Sequence, residues 1–126
     1  MKMVLLAAAG GALGAAGRYL VGIGAGRLLG HGFPWGTLSV NVLGSLAMGL
    51  LIGMWAVRVD APLEARVFLT TGVLGGFTTF SAFSLDFVTL FERKEYATAF
   101  FYVMGSVGLS VLALFVGLYL TRELLK

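Results

Sequence analysis

Long apolar runs separated by short polar connections dominate the pattern of this chain. Three stretches carry no charged residue, and a fourth is interrupted only by Arg18 and Arg27; the stretches are Met3–Leu29, Leu28–Val57, Val67–Leu85 and Tyr96–Thr121. An α-helix needs about 20 apolar residues to cross the hydrocarbon core of a bilayer. The pattern therefore predicts an all-α integral membrane protein, one domain over residues 1–126, with helices at about 3–29, 34–57, 63–91 and 96–121.

Composition supports a lipid environment and excludes most soluble classes. Hydrophobic residues make up 59% of the chain and charged residues 12%, about half the charged share of a typical soluble domain. The absence of cysteine excludes a disulfide scaffold and a thiolate metal site. His31 is the single histidine and lies in a predicted loop, so neither a zinc site nor a catalytic triad is expected and we predict no enzyme.

Basic residues flank the predicted spans on both sides of the membrane. With four spans, both termini and the loop between the second and third spans lie on one side of the membrane. That side carries five basic residues and the other side three, and Arg18 is not counted because it lies within a span; the residues are Lys2, Arg58, Arg66, Arg122 and Lys126 on the first side, and Arg27, Arg93 and Lys94 on the second. This bias slightly favours termini inside. It is equally compatible with insertion in both orientations, which would permit an antiparallel homodimer. The net charge of +3 is the ordinary pattern of helix ends, and no nucleic-acid partner is expected.

Glycine is abundant, with 19 residues, and its spacing carries information. Three pairs lie four residues apart: Gly10 with Gly14, Gly22 with Gly26, and Gly49 with Gly53. Small residues at this spacing allow helix backbones to approach closely in lipid. We therefore predict that most of these glycines serve tight helix packing.

Two polar side chains lie well inside predicted spans. A charge at the bilayer centre costs at least about 2.5 kcal/mol on insertion scales, so a charged residue at that depth indicates a functional role. Arg18 is too far from either end of its helix for easy escape to water, and we expect it to draw anions into a vestibule. Asn41 has two interpretations, a hydrogen bond across helices or a donor pointed into a pathway.

The third span contains the most unusual run, Gly75-Gly76-Phe77-Thr78-Thr79-Phe80. Paired glycines followed by paired threonines continue a helix poorly, so we predict a break near residues 75–78. Freed carbonyls at membrane depth need a partner, and a bound cation can provide one. Beyond the break, a hydroxyl stripe of Thr78, Ser81 and Ser84 follows helical spacing.

Phe80 and Phe83 share a helix face beside these hydroxyls. The positive edges of phenyl rings, together with hydroxyl donors, are suited to a small anion that must bind without being trapped. Aromatic pairs at this spacing are also common in helix cores. Spacing alone favours ordinary packing and leaves the anion site open.

Three motifs resemble the small bacterial fluoride channels of the Fluc (CrcB) family. They are GGALGAAGRY at Gly10–Tyr19, WGTLSVNVLGS at Trp35–Ser45 and GVLGGFTTFSAFS at Gly72–Ser84. The resemblance implies a dual-topology antiparallel homodimer in the bacterial plasma (inner) membrane. It would pass fluoride passively and selectively through two pores, exporting it and so reducing its toxicity. The resemblance also implies a structural sodium ion at the dimer centre, bound by the backbone carbonyls of Gly75 and Thr78.

The resemblance also assigns roles to single residues. It implies a pore lined by donors and ring edges and reached through a vestibule arginine; these positions are Arg18, Asn41, Thr79, Phe80, Ser81, Phe83, Tyr102 and Ser110. Two positions depart from the most familiar pattern of the family. Ala82 replaces the second threonine of TTFSTFS, and Asp86 replaces the glutamate that follows it.

Two other classes of membrane protein have similar lengths. A small four-helix, dual-topology, proton-coupled exporter of cations or drugs needs a membrane carboxylate, but the first span has an arginine and no acid; Asp86 is the only acid well inside a span. A purely structural subunit would explain the glycines, but it would not explain the hydroxyl and phenylalanine track. Fluoride efflux without chloride efflux would favour the channel, and proton-driven cation export would favour the exporter.

Overall fold

The computed structural model describes residues 1–57 and 60–125; the basic residues Arg58 and Lys126 lie outside these ranges. Within them the chain is helical, and four segments are long and apolar enough to cross a membrane. The helices are α1 (Lys2–Leu29), α2 (Trp35–Val57), α3 (Leu63–Arg66), a π-helical stretch (Val67–Leu74), α4 (Gly75–Phe77), α5 (Phe80–Glu92) and α6 (Tyr96–Leu124). The prediction of an all-α membrane protein with a broken third span is confirmed.

The third span differs from its prediction in two respects. Gly75–Phe77 still forms a helical turn, and the break lies after it, at Thr78 and Thr79, whose backbones are both extended. The preceding Val67–Leu74 stretch is π-helical, which no hydrophobic periodicity in the sequence indicated. The fourth span also continues to Leu124, beyond the predicted end at 121.

Glycines bring α1 and the first half of the third span into backbone contact. A Cβ atom added to Gly10 would lie 2.8 Å from the Cα of Gly72, and one added to Gly76 would lie 3.0 Å from the Cα of Gly11. These distances exclude any side chain at the crossing. A Cβ on Gly14 would lie 2.8 Å from the backbone nitrogen of Phe77, so small-residue packing is confirmed for Gly10 and Gly14. Because the π-helical stretch forms this contact, tertiary packing stabilises a conformation that sequence periodicity does not predict.

A second glycine contact joins α2 to α6. A Cβ on Gly49 would lie 3.1 Å from the Cα of Gly117, and a Cβ on Gly53 would lie 2.8 Å from the Cβ of Thr121. The packing prediction is therefore also confirmed for Gly49 and Gly53. At Gly22 an added Cβ would meet nothing within 4 Å, but a Cβ on Gly36 would lie 3.1 Å from the Cα of Gly22, so Gly22 lies where α1 and α2 approach closely.

The apolar core between α5 and α6 surrounds Tyr102, whose side chain is fully buried. Leu90 and Ala99 are buried beside it, and Phe83 packs against the same cluster. The rings of Phe83 and Tyr102 have centroids 5.2 Å apart. The core thus fixes the orientation of α5 immediately after the break.

Candidate functional site

The break in the third span is held from α2 by Asn41. The backbone N–H of Thr79 donates to Asn41 Oδ1 at 2.8 Å, and Asn41 Nδ2 donates to the Thr79 carbonyl at 3.1 Å. One side chain therefore satisfies both backbone groups of an extended residue at membrane depth, as such a break requires. An amide nitrogen has two hydrogens, so Asn41 retains one N–H for a further acceptor. Both interpretations of Asn41 are compatible with this geometry.

The second half of the span begins with a side-chain cap. Thr79 Oγ1 accepts a hydrogen bond from the Ala82 backbone N–H at 3.1 Å, the usual way a threonine satisfies a helix start. Ser81 Oγ lies 3.4 Å from the same Thr79 oxygen. Thr79 is thus fixed by its backbone and by its side chain.

These bonds free two carbonyls at the break. In a continuous helix the Gly75 carbonyl would accept from the Thr79 N–H, which donates to Asn41 instead. The Thr78 carbonyl would accept from the Ala82 N–H, which donates to the Thr79 hydroxyl. Backbone oxygens freed in this way are the ligands that unwound membrane helices offer to Na⁺. The residues present therefore fit the cation that the resemblance implies.

A cleft of about 440 Å³ opens beside the break. It brings together residues of α2, the third span and α6, including five of the predicted pore residues and both predicted cation ligands; they are Asn41, Thr79, Phe80, Phe83 and Ser110, with Gly75 and Thr78. The rings of Phe80 and Phe83 lie 5.6 Å apart between centroids. Phe83 packs on the core, whereas Phe80 is 78% exposed in the single chain. Only Phe83 therefore fits the interpretation of these rings as core packing.

The α6 wall of the cleft carries two unpaired hydroxyls. The oxygens of Ser106 and Ser110 are buried and have no hydrogen-bond partner among the described residues. An unsatisfied buried hydroxyl is costly, and both residues line the cleft. Ser106 was missed by sequence reasoning, although its spacing of four from Tyr102 and Ser110 places all three on one helix face.

Three other predicted positions lie away from the cleft lining. Ser81 is exposed on the surface of α5, and Ser84 is exposed with its hydroxyl donating to the Phe80 carbonyl at 3.0 Å. Tyr102 is buried, and its hydroxyl donates to Asp86 Oδ2 at 2.9 Å. Tyr102 therefore contacts the cleft through the ring of Phe83. Sequence reasoning did not pair it with Asp86.

Arg18 lies on the other side of the break from the cleft. Its Nε donates to the Gly76 carbonyl at 3.2 Å, and it lines a separate cavity of about 350 Å³. Thr79 lines both this cavity and the cleft. The arginine is therefore separated from the phenylalanine-lined cleft by the extended residue that Asn41 holds.

Together these features define a polytopic helical membrane protein with a largely apolar cleft at a broken span, in which a few polar side chains are placed. The family model described as "CrcB-like protein, Camphor Resistance (CrcB)" matches residues 5–118. The chain belongs to this family.

Three relatives of nearly equal length are each named "Fluoride-specific ion channel FluC". The protein of Agrobacterium fabrum (strain C58) is 54% identical over 98% of this chain and 99% of its own length. The protein of Nitrobacter winogradskyi is 56% identical over 94% of both chains. The protein of Rhodospirillum centenum is 55% identical over 97% of both.

Proposed function

We propose that this protein is a passive, selective fluoride channel of the bacterial plasma membrane, which lets fluoride leave the cell and so reduces its toxicity. One observation carries the proposal: the cleft beside the break combines a free amide N–H, two unpaired hydroxyls and two phenyl rings. The family and the names of its relatives support the same substrate. No carboxylate lines this cleft among the described residues.

The mechanism follows from the cost of dehydrating a small anion. A narrow path must replace water with donors, but binding must stay weak enough for release. Asn41, Ser106 and Ser110 supply neutral donors, and the ring edges of Phe80 and Phe83 supply weak positive potential. The fixed charge of Arg18 lies in the neighbouring cavity, where it attracts anions without trapping them in the cleft.

We further infer that the working unit is an antiparallel homodimer with two pores. Phe80, Ser81, Ser84 and Gly75 are exposed in the single chain, on a span that would lie within the bilayer. Polar groups and irregular backbone at that depth are tolerated only against protein or water. A second copy would cover this face, and the weak charge bias permits the opposite orientation that two-fold antiparallel pairing needs.

In the proposed dimer, a sodium ion would bind the freed carbonyls of Gly75 and Thr78 from both copies. Gly75 is exposed on the face that the second copy would cover. The ion would neutralise these dipoles and join the two broken spans, so its role would be structural.

Fluoride efflux from liposomes tests the function. We expect purified protein to release fluoride but not chloride, and Phe80→Ile and Phe83→Ile each to reduce the fluoride rate by tenfold or more, which corresponds to about 1.4 kcal/mol. Phe100→Ile is a matched control, since Phe100 is an exposed phenylalanine of α6 away from the cleft. Parent-like rates in both cleft variants would refute the role of the ring edges. Proton-driven export of a lipophilic cation would instead establish the exporter.

Sodium removal tests the cation separately. We expect dialysis against a sodium-free buffer with a large organic cation, continued for days to allow slow release, to weaken the dimer and reduce fluoride efflux. Re-addition of sodium should restore both. Unchanged dimer stability and efflux would contradict a structural site.

A further inference from the structure

Five aromatic rings form a continuous series from the loop after α1 to the cleft; they are Trp35, Phe33, Tyr102, Phe83 and Phe80. The centroids of successive rings lie 4.6, 5.4, 5.2 and 5.6 Å apart, within the separation of about 4.5–7 Å that favourable aromatic pairs adopt. The two innermost rings are those that we propose to present their edges to the anion. The aromatic series therefore connects the loop with the ring edges of the cleft.

Tyr102 is the central member of the aromatic series, and its side chain is fully buried. Its hydroxyl donates to Asp86 Oδ2 at 2.9 Å. This bond fixes the position of the hydroxyl but not the plane of the ring, because the phenolic oxygen lies on the axis about which the ring turns. The plane has to be fixed by packing, and the rings of Phe33 and Phe83 both pack on it.

Phe33 contacts Tyr102 in the geometry that restrains a ring plane. The two rings are T-shaped, with an angle of 89° between their planes, an arrangement that the charge distribution of aromatic rings favours. Phe83 is tilted by 45° to the same ring. Phe33 packs on the same core as Phe83, but it lines a separate cavity of about 310 Å³ and not the cleft. Phe33 can therefore set the plane on which Phe83 rests without contacting an anion in the cleft.

The loop backbone restrains Phe33 in turn. The loop leaves α1 at Gly30, whose φ of +81° favours glycine. The N–H of Trp35 donates to the Phe33 carbonyl at 2.8 Å and closes a tight turn around Pro34. Proline has a fixed φ and restricts the residue before it, so the backbone at Phe33 has little freedom. The ring of Phe33 is thus a fixed support for Tyr102.

We propose that Phe33 is a positioning residue for the ring edge of Phe83 and that it acts through the plane of Tyr102. This proposal rests on the proposed fluoride function. The orientation of a phenyl ring matters to an anion because the edge of the ring is positive and its face is negative. Without Phe33 the Tyr102 ring turns more freely, and Phe83 presents part of its face to the path. Conduction then falls although Phe33 itself touches no anion.

Fluoride efflux from liposomes tests this role. We expect Phe33→Leu to reduce the rate about fivefold and Phe33→Tyr, which keeps the ring, to conduct like the parent. Phe91→Leu is the matched control, because Phe91 also packs on two rings, those of Phe87 and Tyr96, outside the aromatic series. It should conduct like the parent. A parent-like rate in Phe33→Leu, or an equal loss in Phe33→Tyr or Phe91→Leu, would overturn the proposal.

A double-mutant cycle separates positioning from general support of the fold. If Phe33 acts through Phe83, adding Phe33→Leu to Phe83→Ile should cause no further loss of efflux, because the ring that it positions is already absent. A further fivefold loss in the double variant would show that Phe33 acts independently of Phe83 and would contradict the proposal.

A spectroscopic measurement reports the ring of residue 83 directly. 4-Fluorophenylalanine is incorporated at position 83, and its ¹⁹F resonance is recorded in fluoride-free detergent solution, with thermal unfolding of the same samples to verify that they are folded. We expect Phe33→Leu to shift the resonance and Phe91→Leu to leave it in place. If Phe33→Leu does not fold, Phe33→Met replaces it, since methionine fills the space flexibly without a ring. An unchanged resonance in the folded variant would refute the positioning role.

Failure of the two proposals can be told apart. If the parent moves no fluoride above the leak of protein-free vesicles, the proposed function is wrong, whatever the ¹⁹F resonance shows. If the parent conducts but neither its rate nor the resonance responds to Phe33→Leu, the channel function stands and the positioning role is wrong.

Discussion

The bond pair between Asn41 and Thr79 permits a quantitative prediction for Asn41→Leu. Leucine has a similar volume and fills the same space, but it can neither accept from the Thr79 N–H nor donate to the Thr79 carbonyl. The substitution therefore removes bonds of 2.8 and 3.1 Å and leaves an extended backbone without its partners. It also removes the remaining amide N–H from the cleft.

The size of the effect lies between two limits. Hydrogen bonds between membrane helices average about 0.6 kcal/mol each, which gives about 1 kcal/mol for the pair. Leaving a buried donor or acceptor unsatisfied costs about 1–3 kcal/mol for each group, which gives about 6 kcal/mol at most. Asn41 is half-buried, so we expect a loss between these limits, about 2 kcal/mol in stability. A tenfold or greater loss of fluoride efflux should accompany it.

Two measurements on the same preparations check this prediction. Thermal unfolding in detergent reports stability, and fluoride efflux from liposomes reports conduction. Ser45→Ala is the matched control, because Ser45 lies one turn further along α2 and lines the same cleft, and its loss leaves both bonds to Thr79 in place. If Asn41→Leu matches the parent in both measurements, Asn41 neither holds the break nor contributes to the path.

Two further predictions concern stability, one through helix packing and one through a hydrogen bond. Gly14→Ala places a methyl group against the backbone of the third span, 2.8 Å from a main-chain nitrogen, so we expect a loss of about 3 kcal/mol in detergent unfolding. Gly17→Ala, which meets only a ring edge at 3.5 Å, should be tolerated, and equal stability of the two would refute the close approach. Tyr102→Phe removes the donor to Asp86 and should lower stability by about 2 kcal/mol. Tyr119→Phe on the exposed face of α6 should lower it little, and equal midpoints for the two tyrosine variants would contradict the role of this bond.

The sequence was sufficient to predict the four spans and the existence of the break, because both depend on local properties. Apolar length sets the spans, and consecutive glycines and threonines weaken a helix wherever they occur. The exact position of the break depends on a distant residue. Asn41 holds the extended Thr79, so the irregular backbone lies at Thr78–Thr79 and not at the glycines.

Other features of the site required the fold. The small-residue spacing of Gly22 and Gly26 is the same as that of Gly10 and Gly14, but the contacts differ. Gly10 and Gly14 pack on the backbone of the third span, whereas Gly22 approaches α2 and Gly26 contacts the ring of His31. For Ser106 a usable sequence signal existed, because it lies four residues before Ser110 and therefore on the same helix face. No local signal places His31 on Gly26, because that contact depends on the turn at Gly30.

The donors lining the cleft fall into two groups that respond differently to substitution. Asn41 is engaged with Thr79, so its loss should lower stability and conduction together. Ser106 is 5% exposed with an unpaired oxygen, and an unsatisfied buried hydroxyl costs about 1–3 kcal/mol. Ser106→Ala removes that cost, so we expect it to unfold at the same temperature as the parent or higher, while fluoride efflux falls several-fold. Parallel losses of stability and efflux would show that Ser106 supports the fold instead of the anion.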